Sequence, residues 1–344
     1  MRTDEILTLT PAGLYCPPGD VHIDPMRPVP RALVTHGHSD HARPGHGAVL
    51  ATAETLGLMA ARYGEGFAGT TQAAVLGERL DLGGVRVRFA PAGHVLGSAQ
   101  IEIEAGGLRV VVSGDYKRQA DPTARPFELM PCDVFITEAT FGLPVFRHPD
   151  ARAEIEKLLA SLRLFPERPH LIGAYALGKA QRVIALLREA GYDRPIHIHG
   201  AMARLCAFYE RQGVRLGELR LATAETRRSI GGEIVVCPPS ALKELWAWRF
   251  NDPITAFASG WMRVRQRARQ KGVELPLVIS DHADWDDLCR TILETGAREI
   301  WVTHGQEDAL VHWALNRGLA AKPLHLIGYG DEEEADAPVE EGAE

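Results

Sequence analysis

The sequence predicts an α/β protein in which a sheet-rich unit is interrupted by a second, inserted α/β unit. Three observations carry this prediction. Up to about residue 145, short β-branched apolar runs alternate with turns, and few helices intervene. From 146 to 267, strand-like runs alternate with helically spaced ones, the pattern of βαβ units and a mostly parallel sheet. From 268 to 330, apolar runs again end on histidines, as they do in the first stretch. The economical arrangement makes 1–145 and 268–330 two parts of one unit, 146–267 an insertion, and 331–344 an acidic disordered tail.

Each element has its own reason. Residues 32–36 (ALVTH) form a short strand that runs into a histidine cluster. Residues 85–90 (VRVRFA) and 100–104 (QIEIE) alternate with period two. Gly106 and Gly107 turn the chain into a strand at 108–113, and 133–137 reads as another. Residues 151–164 place Ile155, Leu158, Leu159 and Leu162 at helical spacing. A strand at 170–174 precedes a helix near 179–189. Strands at 196–198, 233–236 and 254–257 follow, with a helix over 201–211 between the first two. The run 275–282, a helix, and a strand at 299–304 complete the series. No internal repeat at a fixed period is visible.

The bulk composition narrows the classes. A chain of 344 residues, 45% hydrophobic and 24% charged, suits a soluble protein with a large core. No stretch of about 18 apolar residues occurs, so no membrane span is expected. The N-terminus is charged and lacks an apolar signal core. The five cysteines are scattered, odd in number and without a CxxC pair, which predicts buried free thiols in a reducing cytoplasm. The net charge of −7 is concentrated at the end of the chain, where residues 331–344 hold eight acids and no base. The remainder carries 38 basic against 37 acidic residues, a balance that permits a polyanionic partner without demonstrating one.

Chemistry concentrates at residues 36–41, HGHSDH. His36, His38, Asp40 and His41 put four metal-competent side chains into six residues. Packing alone does not explain such a group, because it would leave ionisable side chains buried without partners. The alternating spacing turns His36 and His38 one way and Asp40 and His41 another, which suits two metals rather than one. Three later residues fit the same centre. His94 lies in AGHVLGS (92–98), Asp115 follows the strand VVSGD (111–115), and His304 closes WVTHG (301–305). Each sits at a strand end beside glycine, where a rigid sheet can present a ligand. His46 and His199 also adjoin glycine but read as structural or surface residues.

The set resembles the β-CASP nucleases of the metallo-β-lactamase superfamily. HxHxDH alone indicates only that superfamily. The more specific signals are TEATFG (137–142), ALGKAQ (176–181), SDHAD (280–284) and THGQ (303–306). These resemble the branch holding the messenger-RNA 3′-end endonuclease and the Artemis-type DNA-repair nucleases, and most of all the bacterial exonucleases associated with DNA ligase. The resemblance runs from about Asp24 to His304. It implies an αββα sandwich interrupted by a β-CASP domain, and hydrolysis of phosphodiester bonds by two Zn2+ ions, with Mn2+ a possible substitute. His36, His38 and His94 would hold one metal. Asp40, His41 and His304 would hold the other, Asp115 would bridge them, and Asp24 would orient the cluster. Asp40, Glu138 and His282 would be catalytic, with Glu138 and His282 hydrogen-bonded to each other. The implied substrate is DNA in preference to RNA, attacked from the 5′ end, with DNA ligase and other repair proteins as implied partners.

Two segments of the insertion are candidates for nucleic-acid contact. Lys179 and Arg182 open a helix after a strand, where free backbone N–H groups face a possible phosphate. A plain strand-to-helix turn with a solvated lysine explains them equally well. Ser259 and Gly260 sit in FASGWM (257–262), where glycine allows a close backbone approach. The neighbouring Trp261 reads as packing first and base stacking second. The arginines between 263 and 269 read as a solvated helix face or a phosphate-tracking stripe. Asp284 is assigned first to capping the following helix. A thioester or lactam hydrolase shares HxHxDH but needs neither the long insertion nor the Glu138/His282 pair. A nucleic-acid-binding subunit with a decayed site would have lost ligands that are all present here.

Overall fold

A computed structural model describes residues 2–226 and 228–324. The expected acidic tail, 331–344, lies outside them. The chain is a mixed α/β protein with three sheets among the described residues. The first sheet takes its six strands in chain order: Thr8–Thr10, Gly13–Cys16, Val21–Ile23, Arg31–Leu33, His46–Thr52 and Ala68–Ala74. The second runs, edge to edge, Ala320–Pro323, Glu299–Gly305, Val134–Ala139, Leu108–Val112, Ala99–Ala105, Val85–Pro91 and Arg79–Leu82.

These two sheets pack face to face. Leu14, Ile23, Leu33 and Leu50 of the first meet Val87, Phe89, Ile101, Ile103, Val110 and Ile136 of the second. Period-two alternation makes this possible, because Val87 and Phe89 face inward while Arg86 and Arg88 pair with Glu104 and Glu102 outside. The other face of the first sheet is covered by Met59 of the helix Ala53–Tyr63. The other face of the second is covered by Leu288 and Ile292 of the helix Trp285–Thr295 and Leu310 of Glu307–Leu315. The layers are therefore helix, sheet, sheet, helices.

The third sheet lies wholly between two neighbouring strands of the second. Val134–Ala139 and Glu299–Gly305 pair directly in parallel, Thr137 opposite Val302. The chain between them builds a six-stranded sheet, Leu219–Leu221, Ile196–Ile198, Ile234–Cys237, His170–Gly173, Ile254–Ala258 and Leu275–Leu277, every pair parallel. Helices Ala151–Leu164, Lys179–Glu189 and Ala203–Arg211 cover one face of it. Asp150 starts the first of these by accepting from the Arg152 N–H.

The boundary at 267/268 expected from the pattern needs correction. Leu275–Leu277 pairs with Ile254–Ala258, so the third sheet extends past that point. An apolar run with no alternation does not say which sheet it joins. That strand also stops five residues before His282, which stands on a loop and not at a strand end. All five cysteines are buried and free. Among the described residues no helix is long and apolar enough to cross a membrane.

Candidate metal centre and its surroundings

The ligand candidates sit on loops that leave the two facing sheets on one side. His36, His38, Asp40 and His41 follow the strand Arg31–Leu33, His94 follows Val85–Pro91, and Asp115 follows Leu108–Val112. His304 lies at the end of Glu299–Gly305. Two of these turns place non-glycine residues in the left-handed region, Asp24 at φ 43° and His304 at φ 55°. Each costs about 1–3 kcal/mol of backbone strain, of the kind that accumulates at functional sites. Gly114, at φ 54°, has room for no side chain, because a Cβ there would stand 2.7 Å from Thr35 Cβ.

Hydrogen bonds set the tautomer of each imidazole. Thr35 Oγ1 donates to Asp24 Oδ2 at 2.7 Å, so its lone pairs are left to accept from His36 Nδ1 at 3.0 Å. His94 Nδ1 donates to the Asp281 carbonyl at 2.9 Å, and His38 Nε2 to the Leu177 carbonyl at 3.2 Å. His41 Nδ1 donates to Asp24 Oδ2 at 2.8 Å. In His36, His38 and His94 the second nitrogen is left with a lone pair pointing inward, while His41 turns its Nε2 toward Asp115. His38 Nδ1 lies 3.2 Å from His36 Nε2 and 3.0 Å from His94 Nε2. Three converging lone pairs repel one another unless a cation stands among them.

Asp115 occupies the middle of this arrangement. Its Oδ2 lies 3.3 Å from His36 Nε2, 3.5 Å from His41 Nε2 and 3.7 Å from His94 Nε2. Its Oδ1 is buried and has no hydrogen-bond partner among the described residues. Asp115 therefore belongs to two groups whose ligand atoms could hold a metal, one with His36, His38 and His94, the other with His41 and His304. The His304 ring stacks on His41 with centroids 4.7 Å apart. Asp40 lies on the His41 side, 3.7 Å from its Nε2, but outside the tighter second group. The donor set of neutral imidazoles and carboxylates fits a divalent cation.

The electrostatics agree. Burial holds His36 well below its ordinary pKa, with His41 adding to the effect, and burial with His282 and His38 pushes His94 down to about 3. Both rings are neutral and able to ligate. Burial opposes a charge on His41, yet Asp115, Asp40 and Asp24 overcome it and raise that ring well above its usual value. Burial likewise opposes the Asp115 carboxylate, but His41 and His282 keep it ionised well below the usual range.

Beside the centre, Glu138 and His282 form a buried pair. Glu138 Oε2 accepts from His282 Nδ1 at 2.9 Å, and its Oε1 accepts from the Tyr116 N–H at 2.7 Å. Burial raises the Glu138 pKa, with His282 acting against it. The His282 ring stands 4.5 Å from that of His94, beside the centre.

The candidate nucleic-acid contacts sit differently from expectation. Lys179 is buried, with its ammonium on the Asp281 carboxylate, and Arg182 is buried against Asp121 at 2.5 Å. The Ser259 hydroxyl is buried and accepts from the Trp261 N–H at 3.3 Å. Gly260 is buried too, and a Cβ there would collide with Phe141. All four residues are buried away from solvent. The first two join the third sheet's helix to loops of the metal centre, a pairing invisible in sequence because the partners lie far along the chain. Trp261 packs on Phe141 and Phe146 with Arg267 over its ring, and Arg263, Arg265, Arg267 and Arg269 are exposed. His46 accepts from the Val29 N–H, His199 from the Ala201 N–H, and Asp284 caps the helix at 285 by accepting from the Asp287 N–H. These three are structural, as expected.

Breaking the Lys179–Asp281 pair has a predicted cost. Lys179→Met would strand a buried carboxylate beside His94 and His282, for a loss of about 3–5 kcal/mol in urea unfolding. Adding Asp281→Asn should recover part of that loss. A lysine that served only as a phosphate contact would lose almost no stability.

Comparisons with known proteins now bear on this geometry. No family model matches the chain. It is 28% identical over 319 residues to a probable DNA ligase of Opitutus terrae, a match covering 90% of this chain and 30% of that protein. It is 34% identical over 139 residues to the endoribonuclease YSH1 of Saccharomyces cerevisiae, 37% of this chain and 18% of that one. It is 32% identical over 137 residues to cleavage and polyadenylation specificity factor 73 of Drosophila melanogaster, 38% of this chain and 20% of that one. The chain thus spans less than a third of these curated relatives. A solved protein of unknown function from Enterococcus faecalis V583 shares the fold, with a TM-score of 0.59 at 14% identity, covering 87% of this chain and 80% of that one. The chain is thus similar to these proteins, and in it the HxHxDH cluster, Asp115, Glu138, His282 and His304 are drawn around one centre.

Proposed function

We propose that the protein is a metal-dependent nuclease that hydrolyses phosphodiester bonds, with DNA as substrate and exonucleolytic action from a 5′ end in repair. The observation that carries the nuclease reading is the Asp115 carboxylate, shared between two groups of inward-facing histidines, with the Glu138–His282 pair alongside. In this reading the facing sheets and their helices are an αββα sandwich built from 1–145 and the last part of the chain. The segment from 146 through the strand at 275–277 is the β-CASP insertion. Two zinc ions suit the nitrogen-rich set, with His36, His38 and His94 on one, Asp40, His41 and His304 on the other, and Asp115 between. What such a pair supplies is a nucleophile available at neutral pH and neutralisation of charge developing on the phosphate. His282, oriented by Glu138, either touches the scissile phosphate or protonates the leaving oxygen.

The choice of DNA rests on the Opitutus relative, a probable DNA ligase whose matching segment takes in most of this chain. A DNA ligase and other repair proteins are the proposed partners, and five buried thiols support a cytoplasmic setting. RNA is the second reading, favoured by relatives that are endoribonucleases. A panel of labelled single-stranded and duplex DNA and RNA, with 5′-phosphate or 5′-hydroxyl ends, tests both. Single nucleotides released from DNA 5′ ends are expected. Internal products, or cleavage of RNA alone, would overturn the choice.

The residues behind the ligands have a separate test. Thr35→Val removes the hydroxyl that links Asp24 to His36. Zinc affinity, read by chelator competition, should fall by about 10- to 100-fold with the fold intact.

A further inference from the structure

A histidine close enough to feel the charge of His282 is used by neither the metal centre nor the Glu138–His282 pair. His148 stands on the link between the strand Val134–Ala139 and the helix Ala151–Leu164. Its backbone N–H donates to Asp284 Oδ2 at 2.9 Å, pinning the link to the cap of the helix that follows His282. Its ring stands edge-on to Phe141 with centroids 4.5 Å apart. Its Cε1 would lie 3.0 Å from a Cβ at residue 260, so Gly260 is the residue that lets this ring approach. Both ring nitrogens are shielded from the surface, and neither has a hydrogen-bond partner among the described residues. Leaving buried polar atoms unsatisfied is unfavourable, so such a ring calls for a partner.

The surroundings indicate what would satisfy it. The side chains bearing most on this ring are Lys117, Lys179, His282 and Arg263, all basic. The nearby acid, Asp284, is engaged through both oxygens by the N–H groups of His148 and Asp287. Lys117 is buried, two residues beyond Asp115, and has no ion pair within 4 Å among the described residues. An uncharged imidazole among these basic side chains, with Lys179 already paired to Asp281 and Lys117 pushed by burial down to about 7, is a site for an anionic oxygen, with the ring N–H donating. Phe141 packs near both histidines, its ring centroid 4.5 Å from that of His148 and 6.0 Å from that of His282. His148 is thus linked through one ring to His282, beside the metal centre.

We propose that His148 binds a non-bridging oxygen of the phosphate next to the scissile one, fixing the strand in register with the metal centre. This rests on the nuclease reading. The test uses a short single-stranded oligodeoxynucleotide, unmodified or carrying one neutral methylphosphonate on either side of the cleaved bond. His148→Phe keeps the ring packing on Phe141 and removes both nitrogens, while His148→Asn restores a donor. On unmodified DNA, His148→Phe should lower kcat/KM by about 10- to 100-fold, chiefly through KM, and His148→Asn should recover part of it. At one of the two methylphosphonate positions the wild type should lose a similar factor, and His148→Phe should lose nothing more. Zinc content should equal that of the wild type. If His148→Phe cleaves unmodified DNA as well as the wild type does, or if its loss multiplies with the methylphosphonate loss at both positions, the proposal is wrong. If His148→Phe does not fold, the same comparison made with His148→Asn decides. A wild type that cleaves neither DNA nor RNA sinks the nuclease reading itself, whereas an active wild type with an indifferent His148 sinks this inference alone.

Discussion

Replacing Asp115 by asparagine should abolish cleavage and zinc-dependent stabilisation together. The substitution keeps the shape of the side chain and removes the one charge common to both ligand groups. Three imidazole nitrogens lie within 3.7 Å of Asp115 Oδ2, and an amide there would take away the anion they share. A fall in kcat of at least about a thousandfold corresponds to roughly 4 kcal/mol of lost transition-state stabilisation, in the range a bridging carboxylate of a two-metal site supplies. The second readout is independent of turnover. Zinc should raise the thermal midpoint of the wild type, because it binds the folded state alone, and should raise that of the variant far less. A variant that keeps zinc affinity and cleaves within tenfold of the wild type would show that Asp115 is not the shared ligand.

How far the sequence foretold this centre depends on the kind of contact. HGHSDH was readable because four ligand types crowd one loop, and local spacing suffices to see that. The helix Ala151–Leu164 was readable to its ends, with Ile155 and Leu158 buried at helical spacing behind an Asp150 cap. The strands His46–Thr52 and Ala68–Ala74 were not read. Gly47 and Gly69 interrupt their patterns, and each would place a Cβ 2.6 Å from a neighbouring carbonyl oxygen. The helix Ala53–Tyr63 went unread too, although Thr52 caps it by accepting from the Thr55 N–H. Long-range polar pairs were the largest gap. Lys179 with Asp281 and Arg182 with Asp121 each look like solvated charges in sequence. Only the docking of the third sheet's helix against the metal loops reveals them as buried ties. His148 gave no local signal either, since its distinction is the want of partners in three dimensions.

His282→Ala should lower kcat by about 10²–10⁴ while leaving zinc content unchanged, the range expected of a positioned acid or base. The structure gives this ring a fixed orientation, because its Nδ1 donates to Glu138 Oε2 and Glu138 is held from behind by the Tyr116 N–H. Glu138→Gln disturbs that orientation without removing the imidazole. If the glutamine oxygen accepts from Tyr116, its NH2 faces His282 Nδ1 and forces the opposite tautomer. If it accepts from His282 instead, two donors meet at Tyr116. Either way the charge that supports an imidazolium is lost, and kcat should fall by about 10- to 100-fold. Because the carboxylate acts through the ring, the double variant should be no slower than His282→Ala, a non-additivity that independent roles would not produce. The leaving group then separates the two possible duties of His282. A p-nitrophenyl phosphodiester departs without protonation, so the penalty of His282→Ala should shrink to less than about tenfold on that substrate if the ring protonates the leaving oxygen. An undiminished penalty would instead assign His282 to binding the phosphate, as it would then be needed whatever group leaves.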